Sequence, residues 1–173
     1  MQQPFTAQFS THFKRAEFEE GELIPEPCLP IFKALCEQIL EPIREHIEKP
    51  VVITSGYRSP EHNRSIGGAY GSQHIATAEQ CACDFKVEGA DLRELFRWIR
   101  LDSGLPFDQV ILETERWDGP PACIHISYGS TGVRKPRRMA LEGLTHGRGR
   151  YIARATEAFP PHYITAEELG SGV

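Results

Sequence analysis

A chain of 173 residues can bury one substantial core and is short for two. With 40% apolar and 25% charged residues and a net charge of −5, nothing in its totals invites nucleic acid or an anionic membrane surface. No apolar run approaches the roughly 20 residues that span a bilayer, and an odd count of five cysteines suits a reducing compartment better than a disulfide framework.

The opening "MQQPFTAQFSTHF" lacks a basic start followed by an apolar block, so synthesis in the cytoplasm without a secretory signal is expected. "HFKRAEFEEGE" sets Phe13 and Phe18 among charges and reads as a short structured lead-in. From Leu29, the positions Phe32, Leu35, Cys36, Ile39, Leu40, Ile43 and Ile47 follow a helical period. Pro42 interrupts it, which predicts a kink or a new helix starting there. "PVVIT" reads as a buried strand. In "ADLRELFRWIR", Leu92, Leu95, Phe96 and Ile99 share a helical face, and Asp91 with Glu94 forms a capping-box start.

Three segments alternate with period two. "CACDFKV" sets Cys81, Cys83, Phe85 and Val87 against Ala82, Asp84 and Lys86. "FDQVILE" sets Val110 and Leu112 against Gln109, Ile111 and Glu113, and "ACIHISY" sets Ile124, Ile126 and Tyr128 against Cys123, His125 and Ser127. If the apolar sets pack on the helices, Asp84, Glu113 and His125 emerge together on the opposite face. The expected fold is a single α+β domain over 1–173: a small antiparallel sheet of about four strands, with helices packed on one face. From Arg134 to Arg154 seven basic residues face one acid, Glu142, a net +6 that leaves −11 for the rest. That segment reads as a solvated basic tail, or else as a docking surface for an anionic polymer. Pro136, Gly143, Gly147 and Gly149 break any long element there, and "AEELGSGV" reads as a frayed end.

Between the first two strands lies "SGYRSPEHNRSIGGAYGSQHIATAEQCACDF", rich in turns and in metal-ligating side chains. A catalytic zinc ion takes three protein ligands and keeps one position for water. His74 and Asp84 flank the loop's end, and His125 lies on a strand that can come alongside. Glu113, ending its strand on the same face, is the candidate base, and Arg58 a fixed cation for a substrate carboxylate or oxyanion. Each residue also has a plainer reading: His125 as a satisfied histidine within a sheet, Asp84 as a cap or an arginine partner. His12, His46, His62, His146 and His162 read as polar surface groups. Cys81 and Cys83 read as small apolar core residues, and Cys123 as a pocket residue, or a ligand should Asp84 be misplaced.

The stretch "SGYRSPEHNRSIGGAYGSQH", followed by an aspartate and then by "FDQVILE" and "IHISY", resembles the zinc D-alanyl-D-alanine peptidases that share a fold with the Hedgehog signalling domain. "THFKRAEF" and "LEPIRE" resemble the phage-associated, cell-wall-cleaving branch. The resemblance covers about His12 to Tyr128. It implies a zinc peptidase-like core over 12–128 and a basic C-terminal extension over 129–173. It implies His74, Asp84 and His125 as zinc ligands, Arg58 as a substrate anchor, and Ser72 and Asn63 as substrate-binding residues. The sequence departs from the family pattern in two places. Asp84 follows His74 by ten residues rather than seven, without the usual glycine, so a bulge before the strand has to absorb three residues. Ala122 stands where many members carry the catalytic acid, and Glu113 matches a plausible substitute, with Glu115 and Asp118 as spares.

The expected activity is zinc-dependent hydrolysis of a peptide bond in peptidoglycan stem peptides, as a D-Ala-D-Ala carboxypeptidase or a cell-wall endopeptidase. Zn2+ is the one cofactor. The expected partner is the peptidoglycan peptide rather than membrane or nucleic acid, and the expected form is a monomer that acts at the cell wall as a phage or prophage product. The alternative is a non-catalytic zinc-binding module of the same fold, structural or wall-binding, for instance in a phage particle.

Overall fold

The computed structural model describes residues 7–116, 118–129, 136–144, 151–154 and 156. The apolar period from Leu29 forms α1 (Leu29–Leu35), a π-helical turn (Cys36–Leu40) and α2 (Glu41–Ile47). Pro42 has no N–H to donate four residues back, and its ring crowds the preceding turn. The wider π turn takes up the misfit, and a new α-helix starts with the proline in its first turn. Leu29, Phe32, Leu35, Cys36, Ile39, Leu40 and Ile43 are all buried. The lead-in is also anchored: Phe9 and Phe18 both pack on Phe32, and Phe13 packs on Phe18.

The strands are β1 (Val51–Ser55), β2 (Gln80–Val87), β3 (Gln109–Thr114), β4 (Pro121–Gly129), β5 (Met139–Leu144) and β6 (Ile152–Arg154). They form one sheet in the order β1-β2-β4-β3-β5-β6. The α+β class holds. The first four strands pair antiparallel as expected, but the sheet has six strands and is mixed, because β5 runs parallel to β3. Both extra strands come from the basic segment, where Pro136 and Gly143 read as breakers. Gly143 is tolerated in β5 because the Tyr151 ring occupies the place its side chain would take. The run "PVVIT" is β1, an edge strand rather than a buried one, with Val52 43% exposed.

Helices α1 and α4 (Leu92–Leu101) pack on one face of β2, β3 and β4. Asp91 caps α4 by accepting from the amides of Arg93 and Glu94. Cys81, Cys83 and Phe85 face these helices, and the Cys81 thiol contacts the Ile31 carbonyl. All five cysteines are free, and burial pushes the thiols of Cys81 and Cys83 well up, so they are inert core residues.

The basic segment is in part structural rather than solvated. Arg137 grips Asp108 and Arg154 grips Glu142, each through two guanidinium nitrogens. Arg138 lies over the Phe107 ring. Arg134, Lys135, Arg148, Arg150, His146, His162, Gly147, Gly149 and the end "AEELGSGV" lie outside the described residues.

Candidate metal centre

Sheet register brings the site together. Asp84 on β2 pairs with His125 on β4, and His125 pairs with Ile111 on β3, two residues from Glu113. Because side chains alternate, Asp84, His125 and Glu113 share the face turned away from α1 and α4. His74 arrives from the loop after α3 (Pro60–Ser65). Ser72 accepts from the His74 amide, and the His74 carbonyl accepts from the Arg58 amide. The segment between His74 and Asp84 is shaped by a turn at Thr77. Its Oγ1 accepts from the amides of Glu79 and Gln80, and its own amide donates to the Gln80 carbonyl. β2 therefore starts in the register that sets Asp84 opposite His125.

Three atoms converge. His74 Nε2 lies 3.1 Å from Asp84 Oδ1 and 3.2 Å from His125 Nδ1, and that nitrogen is 2.8 Å from the same Oδ1. His74 Nδ1–H donates to the Gly56 carbonyl at 2.7 Å, which turns the Nε2 lone pair toward the cluster. Two imidazole lone pairs and a carboxylate oxygen aimed at one point repel one another unless a cation or protons lie between them. Tetrahedral ligands about 2.0–2.1 Å from zinc stand roughly 3.4 Å apart, so the observed separations fit such an ion after slight expansion. Among the described residues, His74, Asp84 and His125 are the group that could hold a metal ion. Both histidines are buried.

Arg58 is bound into this cluster from behind. Its Nη2 donates to Asp84 Oδ2 at 3.2 Å, and Nε and Nη2 both donate to Ser55 Oγ. The carboxylate is thus split, with Oδ1 toward the histidines and Oδ2 toward the guanidinium. Burial pushes the Asp84 carboxyl up, but the charges and hydrogen bonds of His74 and His125 outweigh it and hold the group well below the usual carboxylate range.

Glu113 is different. Burial, then repulsion from Asp84, raises its carboxyl to about 6, against weaker opposing contributions from His125, Cys123 and Arg58. Cys123 lies across from it, its Sγ 3.8 Å from Glu113 Oε2, and burial pushes this thiol far up, so Cys123 is a neutral neighbour of Glu113. Asn63 is fully buried. Its amide donates to the Ala69 carbonyl, and Gly68 packs so tightly against it that a Cβ there would overlap the Asn63 side chain. Asn63 therefore holds the shape of the loop that carries His74. Glu115 and Asp118 are exposed. Of the histidines read as surface groups, His12 pairs with Glu41, and His46 stacks on Trp98.

Sequence reasoning missed Asp108. It is 8% exposed and accepts from Gln73, the neighbour of His74, while Arg137 grips it from the other side. Its alternation in "FDQVILE" was legible, but its two partners lie 35 and 29 residues away.

A search of curated proteins finds no match. The family model described as Peptidase M15 matches residues 10–117, a span that holds Arg58, His74, Asp84 and Glu113. His125 lies beyond the matched span and is joined to it by strand register and by its contacts with His74 and Asp84. A match over more than half of the chain, on a fold that gathers a His–Asp–His cluster, shows that the chain belongs to the peptidase M15 family of zinc D-Ala-D-Ala carboxypeptidase-like proteins.

Proposed function

We propose that the chain is a zinc-dependent peptidase that hydrolyses a peptide bond in peptidoglycan stem peptides, as a D-Ala-D-Ala carboxypeptidase or a cell-wall endopeptidase. The observation that supports this most is the convergence of His74 Nε2, Asp84 Oδ1 and His125 Nδ1 on the sheet face that also carries Glu113. Two imidazoles and one carboxylate suit zinc and leave a fourth position for water or substrate. When bound, zinc polarises a carbonyl and lowers the pKa of a water molecule to about 7.

The remaining work falls to side chains. Glu113, raised to about 6 in the metal-free chain, takes a proton from the attacking water close to neutral pH. A carbon–oxygen bond forms at the scissile carbonyl, and the carbon–nitrogen bond breaks as Glu113 passes that proton to the leaving amine. Arg58 keeps Asp84 turned toward the histidines and sets a fixed positive charge beside the site for a substrate carboxylate. Ser72 and Asn63 shape the loop against which the peptide lies. Action at the cell wall, a phage or prophage origin and a monomeric state belong to the same reading, and they rest on the resemblance of the His12–Tyr128 sequence to wall-cleaving enzymes.

The test is elemental analysis joined to mass spectrometry of digested cell-wall fragments. About one zinc per chain, none in a His74→Ala/His125→Ala double variant, and new amine and carboxyl termini in the fragments are the expected results. Glu113→Gln should keep its zinc and lose about 10²–10⁴ in kcat. Bound zinc with no new termini would overturn the peptidase reading in favour of a non-catalytic zinc module.

A further inference from the structure

Beyond the span matched by the family, Tyr151 joins His125 on the site face. β5 runs parallel to β3 with Gly143 paired to Glu113, so a side chain at 143 would stand beside Glu113 on the same face. The β5–β6 register pairs Ala140 with Arg154, Leu141 with Ala153 and Glu142 with Ile152. One further step sets Tyr151 opposite Gly143. A Cβ at Gly143 would overlap Cδ1 and Cε1 of the Tyr151 ring, so the ring fills the space that the glycine leaves open. Tyr151 nonetheless stays 38% exposed, with one side on the sheet and the rest open to solvent. Its phenol lies within electrostatic reach of the centre: burial, then the charges of Glu113 and Asp84, push it up.

We infer that the Tyr151 ring walls the substrate cleft on the Glu113 side and contacts the residue that carries the leaving amine. Glu113 delivers its proton to that amine, so the departing residue has to lie on the Glu113 side of the scissile bond, where the ring stands. The glycine in β5 is what lets the aromatic that immediately precedes β6 reach this position. This inference rests on the peptidase reading above.

The experiment uses the full zinc-loaded chain and stem peptides that differ only in the residue released with the new amine. Tyr151→Ala removes the ring. Gly143→Ala keeps it but forces it off the sheet, so the wall is tested twice by independent changes. Each variant should raise KM about tenfold or more, and change the preference among the peptides, with kcat within about threefold and zinc content unchanged. In the Glu113→Gln background, the Kd of the same peptides should rise by a similar factor. A KM and Kd within about twofold of the parent, with only thermal stability reduced, would reduce Tyr151 to a cover for Gly143 and overturn the inference while leaving the peptidase reading standing. A parent chain that holds zinc yet neither binds nor cuts any stem peptide would overturn both, and the parent control separates that case from the first.

Discussion

Asp84 serves three neighbours at once, and the way its oxygens are shared sets what single substitutions should do. Oδ1 faces His74 and His125, while Oδ2 accepts from Arg58, which is itself fixed by Ser55. Arg58→Ala frees the carboxylate to rotate, so zinc affinity measured by chelator competition should fall about 10–100-fold. Arg58→Lys should recover little, because a point ammonium cannot bridge Ser55 and Asp84 through one planar fork. Glu113 makes the opposite kind of statement, about pH. Its folded carboxyl titrates near 6 against an ordinary 4.5. As pH rises through that window the unfolded chain releases its proton first, so the metal-free protein loses stability, by about 2 kcal/mol. Asp84 shifts the other way, and its contribution is lost only as pH falls below about 4, outside the window. Metal-free Glu113→Gln should therefore match the parent near pH 4.5 and exceed it by about 2 kcal/mol at pH 7, read by urea denaturation.

At the scale of elements, the site depends on one glycine where three segments meet. Gly56 follows β1, its neighbour Tyr57 donates to the Phe18 carbonyl, and a Cβ at 56 would overlap the Phe18 backbone. The Gly56 carbonyl is also what orients His74. Gly56→Ala should push the lead-in away and tilt that carbonyl, at a cost of about 1–3 kcal/mol. For a chain of this size that lowers Tm by roughly 3–10 °C, and zinc affinity should drop with it; calorimetry and metal titration check the pair of effects. Much of this scale was legible beforehand. Period-two alternation put Asp84, Glu113 and His125 on one face, and register makes them neighbours, because alternation is a local property of the chain. The edge position of β1 was not legible, since a β-branched run looks the same in the middle of a sheet as at its margin. Nor were β5 and β6: Gly143 reads as a breaker until the Tyr151 ring is seen covering it.

Across the whole molecule, the basic segment is fastened to the site through a buried acid. Asp108 holds Arg137 through its backbone amide and two guanidinium nitrogens, and holds Gln73, one residue before His74, through the same carboxylate. The Met139 amide at the start of β5 donates to the Asp108 carbonyl, so one residue ties β3, β5 and the ligand loop together. Charge counting along the sequence saw an excess of cations but not the partner, because Asp108 lies 29 residues from Arg137. Arg137→Ala leaves a carboxylate that is nearly out of solvent without its cation. A fully buried pair broken this way costs about 3–5 kcal/mol; with Arg137 itself 35% exposed, a loss of about 2 kcal/mol is expected at pH 7. Burial pushes Asp108 up, but Arg137 and Gln73 outweigh it and hold the carboxyl low, so the stability it contributes is present above about pH 4 and is lost as pH falls through its folded value. The gap between parent and Arg137→Ala should therefore be full at pH 7 and close in acid. Asp108→Ala/Arg137→Ala should recover part of the loss, since neither charge is then stranded, and a double-mutant cycle by urea denaturation measures the coupling. Zinc affinity should weaken in the single variant as Gln73 loosens beside His74. A single variant that lost stability without any change in zinc affinity would show that Asp108 secures the sheet alone and does not reach the metal centre.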